Sequence, residues 1–446
     1  MSNNPTGSTT AFTGARVIVG DGSTVIDNAA ITVRDGIITS ITRTPGGAAE
    51  QVQGGGSSPQ TVISFEGKTI MPAIVNPHGH IGYMRGTVCD PRCYSRRNVI
   101  DHLRRFVYHG TSTFQSLGTD WNRIEVGVRD DQRSGVLDDP NLATLFTAGS
   151  GLVAAPEPGL ASGAPFFAVD AVHQVADPAD ARAFVRSLAV QQVDVVKFWI
   201  DDRGGTATKL SPETCRAIVD EAHHHGLRAA AHIYTVDDAK IALRAGADIL
   251  AHMPRSPEPD PELIEQLVDR DIAVFTSMSV QGPARTDWLD DPLLHETLPL
   301  AAIEDLRARL TARAPEPLFD TGETYRRLQQ NFATLHQAGV RLVFSPDTGV
   351  FAQLPGIAEH RELEALVDAG LSPLSAVEFA TRRSAQLLGL TDRGAIDVGR
   401  RADLLVLDAD PRDDITNTRS IAAVIIEGRV VDRDQLRQQL QADSDD

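Results

Sequence analysis

The sequence predicts an α/β protein: a (β/α)8 barrel of the TIM type with a small composite β-sandwich formed by both termini. Three observations carry this. The chain opens with short β-branched runs divided by Asp-Gly pairs, then alternates apolar segments with helical patterns from residue 70, and returns to short strands after residue 389. The expected units are therefore 1–70 and 389–446 for the two parts of the sandwich, the second ending in an acidic tail, and 71–388 for the barrel.

In the opening part, Ala15-Arg-Val-Ile-Val, Ala30-Ile-Thr-Val and Ile37-Ile-Thr-Ser-Ile are strand-like runs, with Asp21-Gly22 and Asp35-Gly36 as hairpin punctuation. Residues 48–60 are rich in Gly, Ser and Gln and read as a surface loop, and 60–65 as a further strand. Barrel strands are expected at 70–75, 111–115, 143–147, 193–198, 228–232, 249–252, 273–277 and 341–344. Helix starts are marked by Ser211-Pro212, Thr235, Asp260-Pro261 and Ser372-Pro373, each a capping residue at a helix entrance. A doubly wound sheet is the alternative to a closed barrel. The irregular stretch 281–321 reads as an insertion on the active face. Residues 401–408 and 421–431 read as returning strands, and 438–446 as a frayed end.

Composition narrows the function. A net charge of −18 argues against nucleic acid, whose phosphates need a basic face. Residues 1–13 lack the basic and apolar segments of a signal peptide, and no apolar run approaches membrane-spanning length. The three cysteines, Cys89, Cys93 and Cys215, make no disulfide framework. The expectation is a cytoplasmic enzyme with a small-molecule substrate, no nucleic-acid or membrane partner, and a homo-oligomeric assembly.

The chemistry concentrates where the barrel hypothesis says to look, at the C-terminal ends of strands. The first strand runs into His78-Gly-His80. Alternate residues of an extended chain face one side, so both imidazoles aim at one point, with Gly79 leaving room between them. The later strands end on Lys197, His232, His252 and Asp347. Neutral imidazole and carboxylate suit zinc and similar divalent ions. Lys197 lies inside an apolar strand, where a bare ammonium is costly. An ion pair with Asp194 or Asp201 is one reading. The other, favoured by four strand-end histidines, is carbamylation by CO2, giving a carboxylate that bridges two metal ions. Asp347, unless it is only a turn residue, is the natural general base. Candidate substrate contacts are Tyr83, Tyr234 and Arg255, with Tyr234 able to assist catalysis; Arg85 reads as an ordinary loop residue.

These residues carry a resemblance to the amidohydrolase superfamily, in its imidazolonepropionase-like and dipeptidase-like branch. It rests on Pro72-Ala-Ile-Val-Asn-Pro-His-Gly-His80, Gly110-Thr-Ser-Thr, Lys197, His232, Gly246-Ala-Asp-Ile-Leu-Ala-His252, Asp347-Thr-Gly, and the stretches 369–381 and 399–408. The resemblance implies two divalent ions, zinc by preference. His78, His80 and Asp347 would hold one, His232 and His252 the other, and carbamylated Lys197 would bridge them. It implies a hydroxide-driven attack on a carbonyl, cleaving a C–N amide bond of an N-acyl amino acid, dipeptide or cyclic amide. Lactones, phosphotriesters and deamination are the alternatives. The chain departs from the pattern at Asn76, where such proteins often carry Asp, and at Ser345-Pro346.

Overall fold

The computed structural model describes residues 9–43, 50–54, 61–164, 167–282, 285–314 and 321–445. Strands β1 (Thr9–Ile18), β2 (Val25–Arg34) and β3 (Ile37–Arg43) form the expected antiparallel run. Between β2 and β3 the turn is the two-residue pair Asp35-Gly36, with φ of 50° and 80°. Both central residues then lie in the left-handed backbone region, and such a turn matches the right-handed twist of the flanking strands. Strand β4 (Glu50–Gly54) pairs with β3, so part of the anticipated loop is sheet. The rest of that loop lies outside the described residues. Strands β5 (Thr61–Ser64) and β6 (Thr69–Pro72) pair with successive parts of β1.

The apolar run at 70–75 is not one strand. Ile70 pairs with Val17 and Val406, so its first half belongs to the terminal sheet. Pro72 has no N–H to continue a ladder. The amide of Ala73 turns to Asp403, and β7 (Ile74–Gly79) starts the parallel part. After a short hairpin of β8 (Met84–Arg85) and β9 (Val88–Cys89) come β10 (Thr111–Ser116) and β11 (Thr144–Thr147), which form a parallel sheet with β7.

A second parallel sheet has seven strands. Its members are β12 (Gly151–Ala154), β13 (Val172–Val175), β14 (Val196–Trp199), β15 (Ala229–His232), β16 (Ile249–Ala251), β17 (Ala273–Phe275) and β18 (Leu342–Val343). Neither β12 nor β13 was among the expected strands, and β13 extends the sheet beyond β12. Among the described residues the two sheets are linked on both sides. Asp194 N–H donates to the Thr147 carbonyl at 2.9 Å, Gly151 N–H of β12 donates to the Gly118 carbonyl beyond β10 at 2.8 Å, and Gly79 bridges Thr348 beyond β18. Helices connect the strands, since parallel neighbours need a crossover. Ser211, Thr235, Asp260 and Ser372 cap them with their side chains, as expected. The segment after β17 forms helices Pro292–His295 and Leu300–Ala312.

Strands β19 (Leu404–Leu407), β20 (Ile421–Ile426) and β21 (Arg429–Val430) return to the terminal sheet beside β6, making nine strands from both ends of the chain. Phe12, Ile38 and Ile41 from the beginning share one buried cluster with Leu404, Val406 and Ile425 from the end. The chain does not fray at 438: helix Arg433–Asp445 buries Leu436 and Leu440. It is held by Arg105, which donates to the Leu440 carbonyl at 3.2 Å. The apolar spacing of four residues within a polar stretch is what the sequence reading passed over.

Candidate metal centre

Lys197, Trp199, Ala230 and His232 lie on one face of the second sheet, because Lys197 pairs with Ala230 and Trp199 with His232 in parallel register. The small Ala230 packs with Val195, Ala251 and Phe275 in a separate buried cluster. The ends of the last three strands are bent by a shared device. His252, Ser277 and Asp347 follow β16, β17 and β18, with φ of 94°, 46° and 54°. Non-glycine residues rarely adopt this backbone, and it persists where surrounding contacts over-determine it.

His78, His80 and Asp347 each offer an atom within 4.8 Å of the others. His78 Nε2 and His80 Nε2 are both 3.3 Å from Asp347 Oδ1. His252 Nε2 lies 3.9 Å from Asp347 Oδ2 and 3.1 Å from His232 Nδ1. The other ring nitrogens are occupied. His78 Nδ1 meets Ser345 Oγ and His252 Nδ1 meets Ser277 Oγ, both at 2.8 Å, and the two hydroxyls join each other at 2.8 Å. His80 Nδ1 meets Thr119 Oγ1 at 3.2 Å, and His232 Nε2 meets Asp201 Oδ2 at 3.3 Å. Such outer partners fix the tautomer and leave the opposite nitrogen free to bind a metal. Three rings thus present Nε2 and His232 presents Nδ1.

Gly79 is required for a reason other than room for a ligand. A Cβ there would come within 2.8 Å of the Phe114 ring and 2.9 Å of the Thr348 carbonyl. The protein's own turn fills the space between the histidines.

Lys197 is fully buried. Neither proposed ion pair forms. Asp194 is taken by Arg133 at 2.6 Å, and Asp201 by Arg203 at 3.0 Å and His232. Among the described residues Lys197 Nζ makes no hydrogen bond, and it lies 4.9 Å from the centre of the Trp199 ring. Burial pulls its pKa down to about 7, against the opposing pull of Asp347. Its charge also disfavours protonation of all four histidines, which shows how closely they gather round it. Burial holds His78, His232 and His252 far below the usual imidazole range, so they are neutral donors. Burial would raise Asp347, but His78, His80 and Lys197 override it and hold the carboxylate low.

Lys197 Nζ, His78 Nε2 and Asp347 Oδ1 are buried polar atoms without hydrogen bonds. A neutral-imidazole and carboxylate donor set with such atoms pointing inward fits a divalent cation.

Above the cluster is a cavity of about 70 Å³ whose base is His80, His232, His252 and Asp347. Phe167, Trp199 and Phe351 line its walls, and Arg203, Arg255 and Arg313 bring positive charge. Arg313 comes from the end of the anticipated insertion. Tyr234 does not line this cavity; its ring lies under the Arg255 guanidinium at 4.8 Å. Tyr83 does not line it either, and its hydroxyl donates to the Thr119 carbonyl at 2.7 Å. Arg85 lines a separate surface cavity with Cys93 and Arg97. Sequence reading missed Thr119 and Ser277, and it had Asp201 only as an ion-pair candidate for Lys197 and Ser345 only as a departure from the family pattern. The only available signal was their position just past strands.

The model of the amidohydrolase family matches residues 69–431. The chain belongs to this family. Among curated relatives, an adenine deaminase of Ligilactobacillus salivarius is 28% identical over 176 residues, covering 39% of this chain and 26% of the relative. An ochratoxinase of Aspergillus niger is 24% identical over 277 residues, covering 58% of this chain and 49% of the relative. The chain thus spans from about a quarter to about a half of these relatives' lengths. A crystal structure of a Xaa-Pro dipeptidase with methionine bound in its active site superposes with a TM-score of 0.71 at 21% identity, covering 95% of this chain and 100% of that one. This amidohydrolase therefore shares its mixed α/β fold with dipeptidase structures. No helix among its described residues is long and apolar enough to cross a membrane.

Proposed function

We propose that this amidohydrolase cleaves a C–N amide bond in an N-acyl amino acid, a dipeptide or a cyclic amide, using two divalent ions, preferably zinc. The observation that carries the reading is the convergence of His78, His80, His232, His252 and Asp347 around a buried Lys197 amine without a hydrogen bond. In this reading His78, His80 and Asp347 hold one ion and His232 and His252 the other. Lys197, whose pKa near 7 leaves a neutral fraction, would add CO2 and release a proton to become a carbamate, supplying a further carboxylate ligand. Bound divalent ions acidify water and polarise a carbonyl. Asp347 takes the proton of the attacking water and passes it to the departing nitrogen, which leaves poorly without it. Phe167, Trp199 and Phe351 exclude solvent from the cavity, while Arg255, beside Tyr234, favours a substrate carboxylate.

The likeness to a dipeptidase structure supports amide cleavage. Deamination is less well supported, because residues 233–242 hold no glutamate, and Asp238 completes the capping box of helix Val236–Ala245. We also propose that the two parallel sheets close as one barrel ending near residue 388 and beginning at 74. Residues before Ala73 and after 389 would then form the sandwich. The three free cysteines support a reducing cytoplasm. The test is hydrolysis of N-acyl amino acids, dipeptides, lactones, phosphotriesters and aminopurines by zinc-loaded protein, with elemental analysis. Amide turnover with about two ions per chain is expected. Turnover confined to another class, or protein that takes up no metal, overturns the reading.

A further inference from the structure

Asn76 lies on β7 two residues before His78, and Thr348 directly follows Asp347. Both are fully buried, as is Glu359 on helix Ile357–Asp368. Asn76 Nδ2 donates to Glu359 Oε1 at 2.6 Å and to Thr348 Oγ1 at 3.2 Å. Thr348 Oγ1 donates to the same Glu359 oxygen at 2.6 Å. On its other side Asn76 Oδ1 accepts the His78 N–H at 2.9 Å, and the Thr348 carbonyl accepts the His80 N–H at 2.6 Å. The Asn76 amide is thereby oriented by two demands: an acceptor toward the strand and a donor toward the helix.

We propose that Glu359 is a positioning residue that, through Asn76 and Thr348, locks the strand carrying His78 and His80 to the turn carrying Asp347. The inference rests on the metal-hydrolase reading only for what those three residues hold. Positions 76 and 359 form a matched pair, amide on the strand and carboxyl on the helix. A carboxylate at 76 would replace the amide donor with a second buried acid at hydrogen-bond distance from Glu359. The helix is itself fixed at its start, where Gly356 has φ of 88° and a Cβ would lie 2.5 Å from His109 Nδ1. One turn further along it, Glu362 accepts from Thr276 Oγ1, Met278 N and Ser279 N, gripping the segment that carries Ser277. One helix thus references the ends of β7, β17 and β18.

The test is a swap cycle of full-length protein: Asn76→Asp, Glu359→Leu, Glu359→Gln and the double variant Asn76→Asp/Glu359→Gln. Zinc affinity is read by competition with a chelating dye, on material shown to be folded by circular dichroism. Asn76→Asp and Glu359→Leu should each weaken zinc binding by about 10–100-fold, the usual effect of losing a partner behind a metal ligand. Glu359→Gln retains an acceptor and should stay close to wild type. The double variant restores a donor opposite an acceptor and should recover most of what Asn76→Asp loses. A double variant no better than Asn76→Asp, or a folded Glu359→Leu with unchanged affinity, overturns the proposal. Should the wild type bind no zinc, the metal reading fails, and the lock is judged instead from the His78 imidazole ¹⁵N signals of metal-free protein. Signals that shift in both disruptive variants and return in the swap support it; signals unchanged throughout refute it.

Discussion

On the side of His78, His80 and Asp347, donor atoms already lie within 4.8 Å of one another, backed by Ser345, Thr119 and the Asn76–Glu359 pair. On the side of Lys197, His232 and His252, the two imidazoles hydrogen-bond each other at 3.1 Å, and the amine has no hydrogen-bonding partner. The first group is held in place by its surroundings. In the proposed reading the second would have to break an internal hydrogen bond, and its lysine would have to be carbamylated, before it held an ion. Outer partners orient the histidines on both sides; what separates the sides is the hydrogen bond between His232 and His252.

The largest effect should come from the residue shared by both sides. Asp347→Asn keeps size and an oxygen donor but cannot carry a proton, so kcat on an amide should fall by about 10²–10⁴-fold. Metal content, read by elemental analysis, should fall far less. A near-wild-type kcat would remove Asp347 from proton transfer.

Breaking the second side alone should be visible as stoichiometry. Lys197→Ala is expected to leave one ion, on His78, His80 and Asp347, with most activity lost. Propionate, a short carboxylate that can occupy the vacated space, should return part of both. An amine found unmodified in active, loaded protein would refute carbamylation.

A subtler break targets the hydroxyls. Ser345→Ala should weaken binding of the first ion by about 10–100-fold, as loss of a histidine's outer partner usually does. Ser277→Ala should act more evenly, since its hydroxyl touches both His252 and Ser345. Titration calorimetry with zinc separates the two.

The smallest effects are in metal-free stability. Lys197 drops to about 7 in the fold, so between its unfolded value and 7 the unfolded chain holds the extra proton. Stability from this group is full above its unfolded pKa and is lost as pH falls through 7. Glu359 is raised by burial to about 7, so its contribution is full below its unfolded pKa and is lost as pH rises through 7. Urea unfolding across pH 4–10 should show a smaller slope in the alkaline limb for Lys197→Met and in the acid limb for Glu359→Gln. Each change is on the order of a few kcal/mol.

The hairpin at Asp35-Gly36, the capped helix entrances and the positions of His78, His80, His232, His252 and Asp347 at or just past strand ends were legible in the sequence, whereas Lys197 lies inside β14, which ends on Trp199. Each depends on local geometry: a turn that needs positive φ, a helix that needs an acceptor at its start, a strand that alternates faces. Three things were not legible. The division of 70–75 between two sheets turns on which distant strand Ile70 meets, and Val406 lies 336 residues later. The absence of a partner for Lys197 depends on Arg133, Arg203 and His232 capturing both nearby acids first. The pairing of Asn76 with Glu359 spans 283 residues and joins a strand to a helix. Local sequence therefore determined which groups stand at the strand ends. Only the tertiary structure decided which of their atoms are satisfied, because a hydrogen bond between side chains is fixed by distance in space and leaves no spacing in the chain to read.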